Sequence, residues 1–200
     1  KKSHISTVVT SENLSFFLRK KIFFHLVGSV EQVAVIFAEE TPTFFELESH
    51  GVILLTDWSG SKITNFPKFL FWIDQTHFHF LVSQEGTPGL NHPDSRSGHY
   101  QSELWKYDVA EFFLLSSDKN RYLEFNLAPN GGWWSSGFCA PSIPAPGEPL
   151  PIPNVQTSGE VNRDGWRARA SIPLSWLQKN YGFSKSTCLN ACFILNSPDQ

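Results

Sequence analysis

The stretch Glu103-Leu-Trp-Lys-Tyr-Asp-Val-Ala-Glu-Phe-Phe-Leu-Leu115, with Tyr122-Leu-Glu-Phe-Asn-Leu127 just after it, decides how this chain folds. Successive side chains of a β-strand point to opposite faces of a sheet, so alternation of residue type marks a strand with one face on a core. In the first stretch Trp105, Tyr107, Val109, Glu111, Phe113 and Leu115 share one parity; Ala110, Phe112 and Leu114 share the other. In the second, Leu123, Phe125 and Leu127 face one way and Tyr122, Glu124 and Asn126 the other. The mostly polar segment from Ser116 to Arg121 suits a hairpin connection. Pairing the two strands buries the aliphatic and aromatic parity. It leaves Trp105, Glu111, Tyr122, Glu124 and Asn126 on one outer face. An aromatic plate beside carboxylate and amide groups is what a sugar requires, because ring C–H groups lie on the indole while hydroxyls hydrogen-bond to the polar groups.

Working outward, Phe69 to Ile73 and Phe78 to Val82 flank the turn-prone Asp74-Gln-Thr76 and read as a second hairpin. His77 and His79 share a parity with Leu81; they read as metal or haem ligands or as half-exposed strand residues, and the lack of a third ligand nearby favours the latter. Gln84 to Ser102 is a long polar loop containing Gly86, Pro88, Gly89, Asn91, Pro93 and Gly98, and it runs directly into Trp105. Loops of this length are usually functional or mobile, so it is expected to wall one side of the site. Pro129-Asn-Gly-Gly132 is a tight turn followed by Trp133 and Trp134. Adjacent strand residues face opposite ways, so one of this pair enters the core and the other stays available as a second plate. The sequence leaves open which does which.

Ala140 to Pro153 is dense in proline, which cannot donate to a sheet ladder, and reads as an extended surface crossing within one domain. Val155 to Val161 and Gly165 to Ile172 form a hairpin turning at Asn162-Arg-Asp-Gly165. On its second strand Arg167 and Arg169 share one parity, where either reaches a sugar hydroxyl or, as the more ordinary fate, faces solvent. Pro173 to Asn180 is a short helix with Gly182 past its end, and Thr187 to Leu195 is a last apolar strand. The first fifty residues are less legible. Leu14 to Val27 favours strand, Val30 to Phe37 fits a strand or short helix, and Phe44 to Leu55 suggests one or two edge strands.

Composition bounds the function. The chain has 200 residues, 40% hydrophobic, with 18 Phe and 7 Trp for a strongly aromatic core, and fits one domain over 1–200. Net charge is -3, and no basic cluster exceeds Arg19-Lys-Lys21, so the electrostatic footprint for nucleic acid is missing. No apolar run of about 18 residues suggests a membrane span. Nor does a signal-peptide pattern open the chain. The chain neither begins with Met nor contains one, so a truncated product or part of a larger polypeptide is expected. Cys139, Cys188 and Cys192 supply neither a disulfide framework nor a zinc set and read as small buried hydrophobes.

The order Trp105, Asp108, Glu111 and then an aromatic-rich strand resembles the family 9 carbohydrate-binding modules and the related DOMON-like domains. Phe71-Trp-Ile-Asp74, Ala128-Pro-Asn-Gly-Gly-Trp-Trp134 and Asp164-Gly-Trp-Arg-Ala-Arg-Ala-Ser-Ile-Pro173 resemble further pieces of that family in the same order, over residues 66 to 196. The resemblance implies an all-β fold, an antiparallel β-sandwich of immunoglobulin-like or jelly-roll type with one short C-terminal helix. It implies that Trp105 stacks on a sugar and that Glu111 binds it. Asn126 stands where relatives place a basic sugar-binding residue. Glu124, Trp133, Trp134 and Arg167 complete the candidate set on their own chemistry. Some relatives hold calcium, for which Asn91, Asp94 and Asp108 offer oxygens; no other cofactor is expected. An extracytoplasmic setting goes with the family. Three alternatives stand beside non-catalytic sugar binding. One is a purely structural sandwich. Another is a haem-binding domain, although the axial Met common there is absent. The third is a glycoside-processing enzyme using Glu111 and Glu124.

Overall fold

The structure, a computed structural model, describes residues 4–7, 34–57, 60–149, 151–185 and 187–195. In chain order its elements begin with β1 (His4–Thr7), β2 (Ala34–Phe37), the helix α1 (Phe44–His50), β3 (Val52–Ile53), β4 (Lys68–Ile73) and β5 (His77–Glu85). They continue with β6 (Val109–Leu115), β7 (Tyr122–Leu127), β8 (Trp133–Ala140), β9 (Ile143–Pro144), β10 (Gln156–Asn162), β11 (Gly165–Pro173), the helix α2 (Leu174–Tyr181) and β12 (Cys188–Ile194). One sheet runs β1-β2-β4-β5-β11-β10, with β3 also paired to β4; the other runs β12-β6-β7-β8-β9. Among the described strands pairing is antiparallel apart from β2 with β4. The β-sandwich expected from the sequence is the observed architecture.

The inner faces meet on phenylalanine. Phe112 of β6 is fully buried, its ring 5.3 Å from those of Phe78 and Phe80, 6.1 Å from Phe71 and 5.1 Å from Phe125. It joins both strands of the β4–β5 hairpin to the β6–β7 hairpin. Burying each such ring contributes roughly 1.5–3 kcal/mol, with a further increment from offset or edge-on pairing. All three hairpins expected from alternation are present, and the β10–β11 turn closes as read: Asn162 Oδ1 accepts from the Asp164 and Gly165 amides at 2.8 and 3.0 Å.

The expected edge strand over Phe44 to Leu55 is instead α1 followed by the two-residue β3. Thr43 starts the helix with a reciprocal cap. Its hydroxyl accepts from Phe45 N at 3.2 Å, and its own amide donates to Glu46 Oε2 at 2.8 Å. Thr43-x-x-Glu46 is thus a helix-start signal that begins one residue before the Phe44–Leu55 segment read as alternating. Among the described residues the sandwich therefore carries two short α-helices rather than one. Leu47 of α1 is fully buried on the outer face of the first sheet with Ile36, Leu70, Trp72 and Leu81. The Leu14–Val27 strand and residues 30–33 of the next segment lie outside the described residues.

On that face Asp74 organises a buried cluster. Its Oδ2 takes the His79 Nε2 at 2.8 Å and the Thr41 hydroxyl at 3.2 Å, while its Oδ1 takes the Thr76 and His77 amides, both at 2.7 Å. His79 Nδ1 meets Ser171 Oγ at 2.9 Å, so both ring nitrogens are engaged. His79 is thus buried and hydrogen-bonded rather than half-exposed.

Candidate functional site

Register places the outer face of the second sheet residue by residue. Across β12, β6, β7 and β8 one row reads Cys192, Glu111, Asn126, Trp134; the next reads Asn190, Phe113, Glu124, Ser136. A third reads Cys188, Leu115, Tyr122, Phe138. The wall is therefore polar in the middle, closed at one end by the Trp134 indole and at the other by Tyr122 stacked on Phe138 at 5.1 Å. Glu111, Glu124 and Asn126 share it, as their parity predicted.

Trp105 reaches this wall by another route. It lies in a 3-10 turn, Leu104–Lys106, not in a strand; β6 begins only at Val109. Glu103 has left-handed backbone at φ 63°, and the Leu104 carbonyl accepts the Tyr107 amide at 3.0 Å, so the chain curls where alternation suggested extension. Leu104 is fully buried in the outer-face apolar cluster, and Trp105, half-buried, packs edge-on against Trp134 with centroids 4.8 Å apart. The expected face was right and the expected backbone was wrong.

The wall is also closed rather than shallow. Glu111 and Glu124 are each 1% exposed and Asn126 is 0% exposed. The Cys192 thiol donates to Glu111 Oε2 at 3.2 Å, and Asn126 Nδ2 donates weakly to Glu124 Oε1 at 3.4 Å. Asn126 Oδ1 has no hydrogen-bond partner among the described residues. The Tyr122 phenol is pushed up to about 12, first by burial and then by the Glu124 carboxylate beside it. Cys192 and Ser136 belong to this wall although sequence reading did not select them; only the register of β12 and β8 brings them in.

Trp133 and Trp134 divide as adjacent strand residues must. Trp133 enters the inter-sheet core, stacked on Phe125 at 5.6 Å and 6°, and Trp134 faces the outer wall. Arg167 is not brought to this group. β11 belongs to the other sheet, and its inner parity is Trp166, Ala168, Ala170 and Ile172, so Arg167 points out on the far side of the sandwich. There it bonds Glu160 through Nη2 at 2.6 Å and lies 4.7 Å over the Phe44 ring. The calcium candidates separate as well. Asn91 and Asp94 are exposed on the loop, whereas Asp108 is buried and its Oδ2 accepts the Gly89 and Leu90 amides at 2.6 and 3.4 Å. That carboxylate fits a loop anchor better than a cation ligand. Of the cysteines, Cys192 is buried, Cys188 half-buried and Cys139 exposed near the β8 edge, against the expectation of three buried thiols.

No family model matches the chain, and no curated protein does. Among solved structures, a provisionally assigned carbohydrate-binding protein of Bacteroides uniformis superposes with a TM-score of 0.52, at 12% identity over 84% of each chain. The chain shares its fold. A family 9 carbohydrate-binding module of Caldicellulosiruptor kristjanssonii in complex with glucose aligns at TM-score 0.46 and 17% identity, over 70% of this chain and 69% of that one. A family 9 module of the same organism in complex with cellotriose aligns at TM-score 0.40 and 19% identity, over 57% of this chain and 52% of that one. Among the described residues no helix is long and apolar enough to cross a membrane.

Proposed function

We propose that this protein binds a saccharide, without chemistry, on the outer wall of its five-stranded sheet. The observation that carries the proposal is Asn126 Oδ1, a fully buried acceptor with no hydrogen-bond partner among the described residues, set in one row with the Glu111 carboxylate and the Trp134 indole. Leaving such an acceptor unmet costs about 1–3 kcal/mol, and a sugar hydroxyl is a donor of the right kind to meet it. Glu111 and Glu124 accept further hydroxyls, and the half-exposed Trp105 offers its face to ring C–H groups. The sandwich fold shared with a provisionally assigned carbohydrate-binding protein supports the same reading, as does the order of motifs from Trp105 to Pro173. That reading goes with a place outside the cytoplasm.

Because the polar row is buried, the sugar reaches it by movement at the Trp105 rim, and association is slower than for an open platform. Affinity is modest, since hydroxyl bonds to protein largely replace those to water. Isothermal titration with glucose and with cello-oligosaccharides tests the reading. Saturating heat in the wild type that disappears in Trp105→Ala supports it; no heat with any saccharide, from a folded protein, refutes it.

A further inference from the structure

The segment between β5 and β6 is hydrogen-bonded to the turn before β8, and one side chain makes most of the tie. Asn130 Oδ1 accepts the Ser95 hydroxyl at 2.7 Å and the Gly132 amide at 3.3 Å, and its Nδ2 donates to the Ser95 carbonyl at 2.6 Å. The Asn130 carbonyl accepts the Ser97 hydroxyl at 2.9 Å. Contact is close enough that a Cβ built on Gly132 would lie 1.9 Å from Ser95 Oγ. Beyond this clamp the segment runs beside the start of β8 as a short parallel ladder. The Trp133 amide donates to the His99 carbonyl at 3.0 Å, and the Gln101 amide donates to the Trp133 carbonyl at 2.8 Å. Gln101 is followed by the turn carrying Trp105, and Trp133 by Trp134, so the register set by the ladder determines how the two indoles meet.

We propose that Asn130 is the positioning residue for the Trp105 plate. Its carboxamide fixes Ser95, Ser95 fixes the ladder at residues 99–101, and the ladder sets Trp105 edge-on to Trp134. Asn130 touches no ligand in this scheme. The reverse carboxamide pairing with Ser95, one donor and one acceptor on each partner, is the kind of two-point contact that holds a loop in a single register. The inference rests on the saccharide reading only where affinity is the readout; the placement of the indoles is tested without any sugar.

The test uses the whole chain. The far-ultraviolet exciton couplet of the Trp105–Trp134 pair, assigned by its loss in Trp105→Phe, reports their mutual placement. In Asn130→Ala that couplet collapses while the protein stays folded, and affinity for glucose falls about tenfold, as expected when two or three hydrogen bonds that hold a binding group are lost. Asn130→Asp keeps the acceptor for Ser95 and Gly132 but loses the donation to the Ser95 carbonyl, and gives an intermediate couplet; it carries the test if Asn130→Ala does not fold. An unchanged couplet in a folded variant overturns the proposal. If the wild type binds no sugar, the saccharide reading fails alone and the couplet still decides the role of Asn130.

Discussion

Replacing Asn126 by leucine, nearly its isostere, is expected to make this protein more stable and to abolish sugar binding. Asn126 is 0% exposed, and its Oδ1 has no hydrogen-bond partner among the described residues. An unmet buried acceptor costs about 1–3 kcal/mol, which the substitution removes. The substitution also loses the Nδ2 bond to Glu124, which at 3.4 Å lies at the long end of the range and is worth about 0.5 kcal/mol. The net gain of about 0.5–2.5 kcal/mol corresponds to a rise in Tm of about 1–10 °C for a chain of this size. Thermal unfolding followed by circular dichroism, with and without glucose, provides both readouts. The wild type gains Tm with glucose by mass action, and the leucine variant starts higher and gains nothing. A variant that melts lower than wild type, or that keeps its glucose-dependent shift, refutes the reasoning. Either result means that Asn126 is satisfied in the free protein or stands outside the site. Binding groups held at a cost to stability are a common pattern, and this pair of measurements asks whether Asn126 is one of them.

Three further outcomes follow from the same structure. Burial lowers the pKa of His79, against the opposing pull of Asp74; the unfolded chain therefore holds the proton more tightly, and stability falls as pH is lowered through about 6.5. Burial alone would raise the Asp74 carboxyl, but the Thr76 and His77 amides and the His79 ring outweigh it and hold the group well below the ordinary aspartate value of 3.8, so a second loss begins as pH falls below that value. Urea midpoints measured from pH 8 to pH 3 are expected to show both declines, and Asp74→Asn removes the lower one while costing about 1.5–3 kcal/mol at pH 7. Gly159→Ala places a Cβ 2.3 Å from both the Gly131 amide and the Pro129 carbonyl, backbone that cannot retreat cheaply, and lowers stability by about 1–3 kcal/mol in urea unfolding. Trp105→Ala abolishes glucose binding by titration with little change in urea midpoint. Trp166→Phe, which removes a core indole bonded to Gln84 Oε1 at 2.6 Å, lowers the midpoint and leaves glucose affinity unchanged.

Period-2 alternation made the second sheet legible. Ala110, Phe112 and Leu114 on β6 and Leu123, Phe125 and Leu127 on β7 lie in the core as their parity required, and Glu111, Glu124 and Asn126 lie on the other face. Alternation failed where a local hydrogen bond competes with it. The Thr43–Glu46 capping box turned an apparent edge strand into α1, and the left-handed Glu103 ended the extension that placed Trp105 within a strand. Burial was not readable because parity reports a face and not what lies over it. Glu111 and Glu124 sit on the solvent-type parity and are nonetheless 1% exposed. The parity of Arg167 on β11 was legible and its more ordinary fate, an exposed outer face, is the one observed; that the face belongs to the other sheet depends on non-local pairing with β5. The same holds for Cys192, which meets Glu111 only through the β12–β6 register.

The most direct test of sugar binding at this wall is a glucose titration followed through the indole N–H resonances of the seven tryptophans. Saturable shifts at Trp105 and Trp134, with Trp72 and Trp166 unmoved, are the predicted result. Shifts confined to Trp72 or Trp166, or none at any indole up to saturating glucose and cello-oligosaccharide, would contradict it.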